Sequence, residues 1–135
     1  MTTSSTWSFE SRLPLGGCGV DLERVARFEP VAADATEGWS LVFSARELAH
    51  ARAASHPAWA LCASFCCKEA LTKALRVPFE YAECELLFDP KASEQELCLG
   101  PTLRREHGVT GCKAFVQQAE GEQCLAVVYV FGAAP

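Results

Sequence analysis

The segment from His56 to Arg76 constrains the fold more than any other part of the chain, because its pattern predicts one long helix that has to be buried. Pro57 suits the first turn of a helix, and Val77-Pro78 ends it. On a helical wheel, one sector carries Trp59, Cys62, Cys66, Glu69 and Lys73, whereas Ser64, Lys68 and Thr72 lie on the opposite side. Two charged residues therefore continue an apolar stripe, and a partner surface has to cover it.

The remaining patterns predict the sheet that covers this helix. Ser44 and Glu47 form a capping box, which predicts a second helix from Ala45 to Ala54. The other predicted elements are a strand Leu15–Val20 that Asp21 ends, a helix Leu22–Phe28, strands Glu83–Phe88 and Glu96–Leu99, a short helix Thr102–His107, and a hairpin of Lys113–Gln118 and Gln123–Phe131. Elements in this order predict an α+β fold: a compact single domain with a mainly antiparallel sheet packed against a long helix.

Length and composition agree with one folded unit. The chain has 135 residues, of which 50% are apolar, enough for one core. We expect residues 1–14, rich in Ser and Thr, to be a flexible N-terminal segment and residues 15–135 to form the domain. The N-terminal residues lack the apolar stretch of a signal peptide or membrane span, so we expect a cytoplasmic protein with no membrane partner.

Cysteine spacing and net charge exclude two further classes of function. The eight cysteines contain no C-x-x-C pair, and the histidines are not spaced as ligands beside them, so a structural zinc site or disulfide framework is not predicted. A net charge of −5 argues against nucleic acid as the main partner, because a phosphate-binding surface needs a basic excess.

Three charged residues in two separate segments are the candidate functional residues. Asp21 follows a glycine-rich strand, while Glu69 and Lys73 lie one turn apart on the long helix. Two carboxylates and a lysine suit a hard divalent cation bound to a pyrophosphate. The alternative roles are structural, with Asp21 as a helix N-cap and Glu69–Lys73 as a surface ion pair. The apolar surroundings of Glu69 and Lys73 favour a bound partner, because a charge there needs one to offset its desolvation.

These segments also carry a family resemblance. GVDLERVARF and FCCKEALTKAL resemble the two-part signature of the 4′-phosphopantetheinyl transferases, in particular the small holo-acyl-carrier-protein synthase type, and FSARELAHA resembles a third family segment. The resemblance implies transfer of the 4′-phosphopantetheine group from coenzyme A to a serine of an acyl carrier protein, with release of 3′,5′-ADP. It implies Mg²⁺ as cofactor, held by Asp21 and Glu69, with Asp21, Glu69 and Lys73 as the catalytic residues.

Further expectations follow from the same resemblance. Lys68 and Lys73 are the expected coenzyme-binding lysines, and Arg24 and Arg27, on the predicted first helix, are the expected docking pair for the acidic carrier protein. The resemblance also implies a homotrimer. A carboxylate is the expected base for the serine hydroxyl, and the sequence leaves its identity open.

The C-terminal third departs from the family pattern and leaves two alternatives open. Gln117 and Gln118 stand near the place of a Ser-x-Ser-His strand that contacts the coenzyme in the small synthases. The first alternative is a degenerate family member that binds carrier protein or coenzyme A without transfer. The second is an unrelated α+β interaction domain in which both motifs are coincidental.

Overall fold

The computed structural model describes residues 15–34 and 37–132, so the predicted segment 1–14 lies outside the described residues. The strands are β1 (Leu15–Arg24), β2 (Cys84–Glu85), β3 (Glu94–Gln95), β4 (Cys98–Leu99), β5 (Val109–Ala119) and β6 (Gln123–Gly132). The helices are α1 (Glu29–Ala32), α2 (Ala45–Arg52), α3 (Pro57–Leu75) and α4 (Pro101–Glu106), and 3₁₀ turns span Val25–Phe28 and Tyr81–Glu83.

The main sheet has four antiparallel strands in the order β1-β6-β5-β3. The predicted C-terminal hairpin is present as β5 and β6, and it is longer than predicted. β1 pairs along β6, with Asp21 opposite Ala126 and Leu22 opposite Leu125. Helix α3 covers one face of this sheet, so the α+β fold with a sheet packed on a long helix is confirmed.

Two glycines allow β1 to lie directly against α3. A Cβ at Gly17 would overlap the carbonyl oxygen of Ala74, and one at Gly19 would overlap that of Ala70. The glycines of this strand are therefore explained by the close approach of two backbones, which residues without side chains permit. This approach brings the next residue on the same face of β1, Asp21, against the C-terminal half of α3.

The predicted helix Leu22–Phe28 is wrong. β1 continues through Arg24, and only Val25–Phe28 forms a 3₁₀ turn before the four-residue helix α1. Backbone pairing of Leu22 with Leu125 and of Arg24 with Gln123 keeps this segment extended. A full-length partner strand therefore overrides the local apolar spacing that favoured a helix.

Outside the main sheet and α3, the helices and strands are short. The predicted strands Glu83–Phe88 and Glu96–Leu99 are reduced to two-residue pairings, in which Cys84 lies opposite Leu99. Helix α2 begins at the predicted capping box, where Glu47 N donates to Ser44 Oγ at 3.1 Å and Ser44 N donates to Glu47 Oε1 at 2.9 Å.

The second face of the main sheet carries apolar side chains that no element of the described chain covers. Val20 and Leu22 of β1 are each 48% exposed. Their register neighbours on β6, Val127 and Leu125, are half-buried, and Phe115 of β5 lies opposite Val127. Because side chains alternate along a strand, these residues share the face opposite α3.

All eight cysteines are free thiols, and five of them are buried: Cys62, Cys66, Cys67, Cys84 and Cys124. Among the described residues, no helix is both long enough and apolar enough to cross a membrane.

Candidate functional site

Asp21 lies on the face of β1 that meets α3, and it is only 8% exposed. Its backbone oxygen accepts a hydrogen bond from the Cys66 thiol at 3.2 Å, which ties β1 to the helix. The residue is within a paired strand, and the N-cap position of the following 3₁₀ turn is Arg24, so Asp21 does not cap a helix. Within the described part of the chain, Oδ2 of Asp21 is the one buried side-chain polar atom without a hydrogen-bond partner.

Lys73 reaches Asp21 from α3. Its ammonium donates to Asp21 Oδ1 and to the Val20 carbonyl, both at 3.0 Å. The hydrogen bond to Asp21 raises the pKa of Lys73, burial opposes this, and the charges of Asp21 and Glu69 add to the rise. Both carboxylates therefore act on one ammonium, and Lys73 stays positively charged. Its side chain is 56% exposed, so the charge faces solvent and a ligand can reach it.

Glu69 lies one turn before Lys73 and is half-buried. Oε2 of its carboxylate accepts a hydrogen bond from the Tyr81 hydroxyl. The Glu69–Lys73 pair is therefore not a simple surface ion pair, because Lys73 binds Asp21 and Glu69 binds Tyr81. No sequence pattern predicts a role for Tyr81, because the stretch after α3 has neither helical nor strand periodicity.

Glu23 is a second site residue that sequence reasoning missed. Burial raises the pKa of Glu23 most, followed by the charge of Asp21 and a hydrogen bond between the two carboxyl groups, which forms only when one of them is protonated; Arg27, which donates to Glu23 Oε1 at 3.0 Å, lowers it. Residues i and i+2 of a strand share a face, so a prediction of strand through Arg24 would have placed Glu23 beside Asp21. The wrong helix prediction hid this relation.

The structure corrects the predicted role of Lys68. Its side chain is fully buried, and its ammonium donates to Glu47 Oε1 at 2.8 Å and to the Val42 carbonyl at 2.5 Å. Glu47 also accepts from Ser64 Oγ, which lies on the same side of α3. Because Lys68 and Ser64 face α2 while Lys73 faces β1, Lys68 does not reach the same site and is not carried further as a coenzyme-binding residue.

Arg24 and Arg27 are both exposed. The prediction that they share an α-helix is wrong. Arg24 is the last residue of β1, and Arg27 lies in the 3₁₀ turn. The Arg27 guanidinium lies 5.0 Å from the ring centroid of Phe65 and 5.3 Å from that of Trp39. Cation–π contacts of this kind fix the position of a long side chain. Arg27 is therefore held in place at the surface next to Glu23.

Gln117 and Gln118 are exposed near the end of β5. Gln117 lies opposite Leu125 and Gln118 opposite Cys124. Gln118 also lines a cavity of about 660 Å³ with Trp59 and His56, at the end of α3 away from Lys73. Within one chain, the side chains of Gln117 and Gln118 therefore do not reach the cluster of Asp21, Glu69 and Lys73.

The residues at the cluster fit a Mg²⁺ ion. Asp21 Oδ2 is a buried carboxylate oxygen without a partner, which is the type of ligand that Mg²⁺ takes. No group of three or more His, Cys, Asp or Glu side chains in residues 15–34 and 37–132 converges closely enough to hold a metal by itself. Mg²⁺ does not need such a cage, because it is commonly bound by one or two carboxylates together with substrate phosphates and water.

A family model described as the 4′-phosphopantetheinyl transferase superfamily matches residues 17–128, which include Asp21, Glu69 and Lys73. No curated protein sequence matches the chain.

Solved structures of similar fold include several holo-acyl-carrier-protein synthases. The enzyme from Neisseria meningitidis is 21% identical with a TM-score of 0.70, covering 87% of this chain and 98% of that one. The enzyme from Mycobacterium tuberculosis is 23% identical with a TM-score of 0.62, covering 90% of this chain and 100% of that one. The enzyme from Helicobacter pylori, in complex with coenzyme A, is 19% identical with a TM-score of 0.68, covering 84% and 98%. At 19–23% identity, these structures establish that the fold is shared. The family model matches most of the chain and therefore establishes the family. The chain therefore belongs to the 4′-phosphopantetheinyl transferase superfamily, the family and enzyme class that its two motifs predicted.

Proposed function

We propose that this protein is a Mg²⁺-dependent holo-acyl-carrier-protein synthase that transfers the 4′-phosphopantetheine group of coenzyme A to a serine of an acyl carrier protein. The observation that carries the proposal is the buried, unpartnered Oδ2 of Asp21 next to the Lys73 ammonium. A buried carboxylate oxygen without a partner is costly unless a ligand completes it. The complex of the Helicobacter pylori enzyme with coenzyme A supports the choice of substrate.

Lys73 is the proposed phosphate-binding residue. An ammonium group has three N–H donors, and Lys73 uses two of them on Val20 and Asp21. The third donor and the exposed charge are available to a pyrophosphate oxygen of coenzyme A. In that position Lys73 stabilises the negative charge that develops on the departing 3′,5′-ADP.

Asp21 and Glu69 are the proposed metal carboxylates. A Mg²⁺ ion held by these two carboxylates would neutralise charge on the pyrophosphate. The serine oxygen of the carrier protein attacks the phosphorus that carries the pantetheine arm, and the bond from that phosphorus to the bridging oxygen breaks. The bridging oxygen leaves with 3′,5′-ADP, and the serine proton passes to a carboxylate, for which Glu69 is the first candidate.

Intact-mass spectrometry of an apo acyl carrier protein incubated with this protein, coenzyme A and Mg²⁺ tests the proposal. We expect a gain of ~340 Da, the mass of the transferred group, that is absent with Glu69→Ala and with excess chelator. Glu106→Ala, an exposed change on α4, is the matched control and should retain the gain. A wild-type protein that binds coenzyme A but modifies no carrier would instead support the degenerate binding module.

The carrier protein is proposed to dock at Arg24 and Arg27. Carrier proteins of this class are acidic, and the present chain has a net charge of −5, so productive encounter requires a local basic patch. Arg27 meets this requirement because its guanidinium is exposed yet fixed over Phe65 and Trp39.

Arg27→Glu should raise the KM for carrier protein by about tenfold and leave the KM for coenzyme A unchanged. Arg105→Glu makes the same charge change on exposed α4 and serves as the control. Equal effects of the two substitutions would mean that net charge, rather than this patch, governs docking.

A cytoplasmic homotrimer completes the proposal. The eight free thiols are typical of a reducing compartment. The uncovered apolar sheet face, formed by Val20, Leu22, Phe115, Leu125 and Val127, supplies a surface on which copies of the chain can associate.

A further inference from the structure

Tyr81 contacts the candidate site through a single polar atom. Its hydroxyl donates a hydrogen bond to Oε2 of Glu69, and the Thr72 hydroxyl lies 3.5 Å from the Tyr81 oxygen on the other side. Tyr81 comes from the 3₁₀ turn Tyr81–Glu83, outside both segments that carry the candidate site residues. A residue from a third part of the chain thus contacts one of the two candidate metal carboxylates.

The tyrosine ring is held in place by its neighbours. Its centroid lies 5.2 Å from that of Phe79 and 6.4 Å from that of Phe65. The turn that carries it is anchored by Glu83, whose backbone oxygen accepts from Gly100 N at 2.7 Å and whose carboxylate accepts from Thr102 N at 3.1 Å. The hydroxyl is therefore presented from a fixed position and does not depend on a mobile side chain.

The direction of the hydrogen bond follows from chemistry. A tyrosine hydroxyl carries its proton at neutral pH, whereas an ionised carboxylate has only acceptor oxygens. The phenol therefore keeps its proton at neutral pH and acts as the donor, while the carboxylate accepts. Tyr81 is thus unsuited to serve as a base, and its contact fixes one oxygen of Glu69 while leaving Oε1 for another partner.

We infer that Tyr81 is a positioning residue for the transferase site, because its hydroxyl holds Oε2 of Glu69 so that Oε1 is presented to the divalent cation. This inference rests on the proposed function. Hydrogen-bond partners behind a metal ligand orient it, and their loss typically weakens metal binding tenfold or more. Tyr81→Phe removes the hydroxyl and keeps the ring contacts with Phe65 and Phe79, so the hydrogen bond can be tested apart from the packing that positions it.

Tyr81→Phe removes the hydroxyl and keeps the ring. Titration calorimetry of Mg²⁺ in the presence of coenzyme A should show a Kd about tenfold higher than that of wild type. Transfer measured against Mg²⁺ concentration should show the same shift in half-saturation, with most of kcat recovered at saturating Mg²⁺. Phe79→Leu removes one of the contacts that hold the ring but keeps the hydroxyl, so it should lower the Tm and raise the Mg²⁺ Kd less than Tyr81→Phe does.

A double-mutant cycle provides the second route. Glu69→Asp keeps a carboxylate but shortens it, which withdraws it from the Tyr81 hydroxyl. If Tyr81 acts through Glu69, adding Tyr81→Phe to this variant changes the Mg²⁺ Kd no further. Additive effects, or a Tyr81→Phe protein that binds Mg²⁺ as wild type does, would overturn the positioning role while leaving the transferase proposal intact. A wild-type protein that binds no Mg²⁺ with coenzyme A would instead remove the proposed function, and this inference with it.

Discussion

Lys68 and Lys73 lie on the same helix, but their environments give them different roles. The side chain of Lys68 is 1% exposed and binds a Glu47 side chain that is equally buried, whereas that of Lys73 is 56% exposed and binds Asp21. Glu47 also accepts hydrogen bonds from Ser64 Oγ and from the backbone of Leu86. Lys68 therefore completes a buried network that joins α2 to α3, while Lys73 remains available to a ligand.

Lys68→Met is expected to lower the free energy of unfolding by about 3–5 kcal/mol, because it leaves the Glu47 charge buried without its counter-ion. Lys73→Met is the matched comparison and should cost less, because the Lys73 ammonium is 56% exposed and water can take its place at Asp21. Urea denaturation of both variants measures the difference. Equal losses would contradict the assignment of Lys68 as the structural lysine and Lys73 as the ligand-facing one.

The sequence predicted those candidate-site residues that a short-range pattern identifies. Glu69 and Lys73 were found because one helical turn separates them, and Asp21 because it follows a glycine-rich strand. Glu23 was missed because its position beside Asp21 depends on strand geometry, and Tyr81 because its contact with Glu69 depends on how the chain returns after α3. Neither relation leaves a periodic pattern in the sequence.

At the scale of elements, the contact between β1 and α3 builds the site. The strand and the helix approach closely because Gly17 and Gly19 present no side chains to Ala74 and Ala70. Cys66 of α3 then donates to the backbone oxygen of Asp21 on β1 at 3.2 Å and to that of Cys124 on the neighbouring strand β6 at 3.3 Å. Asp21 meets Lys73 only because this contact is tight.

Gly19→Ala should therefore affect both stability and the site. The added methyl group overlaps the Ala70 carbonyl and has to push β1 away from α3, at a cost of about 1–3 kcal/mol. We also expect weaker Mg²⁺ binding, because Asp21 moves with the strand. Gly111→Ala, where a Cβ would have no neighbour within 4 Å, is the control. Thermal unfolding with and without Mg²⁺ and coenzyme A measures both effects, and identical behaviour of the two variants would argue against the close approach.

Element prediction succeeded where local chemistry and final structure agree. The capping box at Ser44 and the proline-bounded helix α3 lie where they were predicted. The segment Leu22–Arg24 was predicted as helix because its apolar spacing is helical, yet it pairs with Gln123 and Leu125, about a hundred residues later in the chain. Long-range pairing of this kind is invisible to a local window.

At the scale of the whole molecule, the elements within residues 15–34 and 37–132 cover the sheet on one side only. Helix α3 packs on one face, while Val20 and Leu22 remain 48% exposed on the other, next to Leu125 and Val127. An apolar sheet face of this kind is typical of a surface that associates. We therefore expect the proposed trimer to bury it.

Leu22→Asp should dissociate the assembly, because a charge at the centre of an apolar interface is costly to bury. Light scattering after size-exclusion chromatography should give three times the chain mass for wild type and the mass of one chain for the variant. Leu41→Asp introduces the same charge at an 84% exposed leucine in the loop before α2, away from the sheet face, and should leave the assembly intact. A monomeric wild-type protein would refute the trimer.

The sequence by itself determined the family, the fold class, the long helix and the three charged residues of the candidate site, because these depend on composition, helical periodicity and short-range spacing. Only the tertiary structure decided that Lys68 is buried with Glu47, that β1 runs on to Arg24 and brings Glu23 beside Asp21, and that Tyr81 binds Glu69. The physical reason is the same in each case. These contacts join residues that are close only after the strands have paired and the helix has packed, so their energies are absent from any local stretch of the chain.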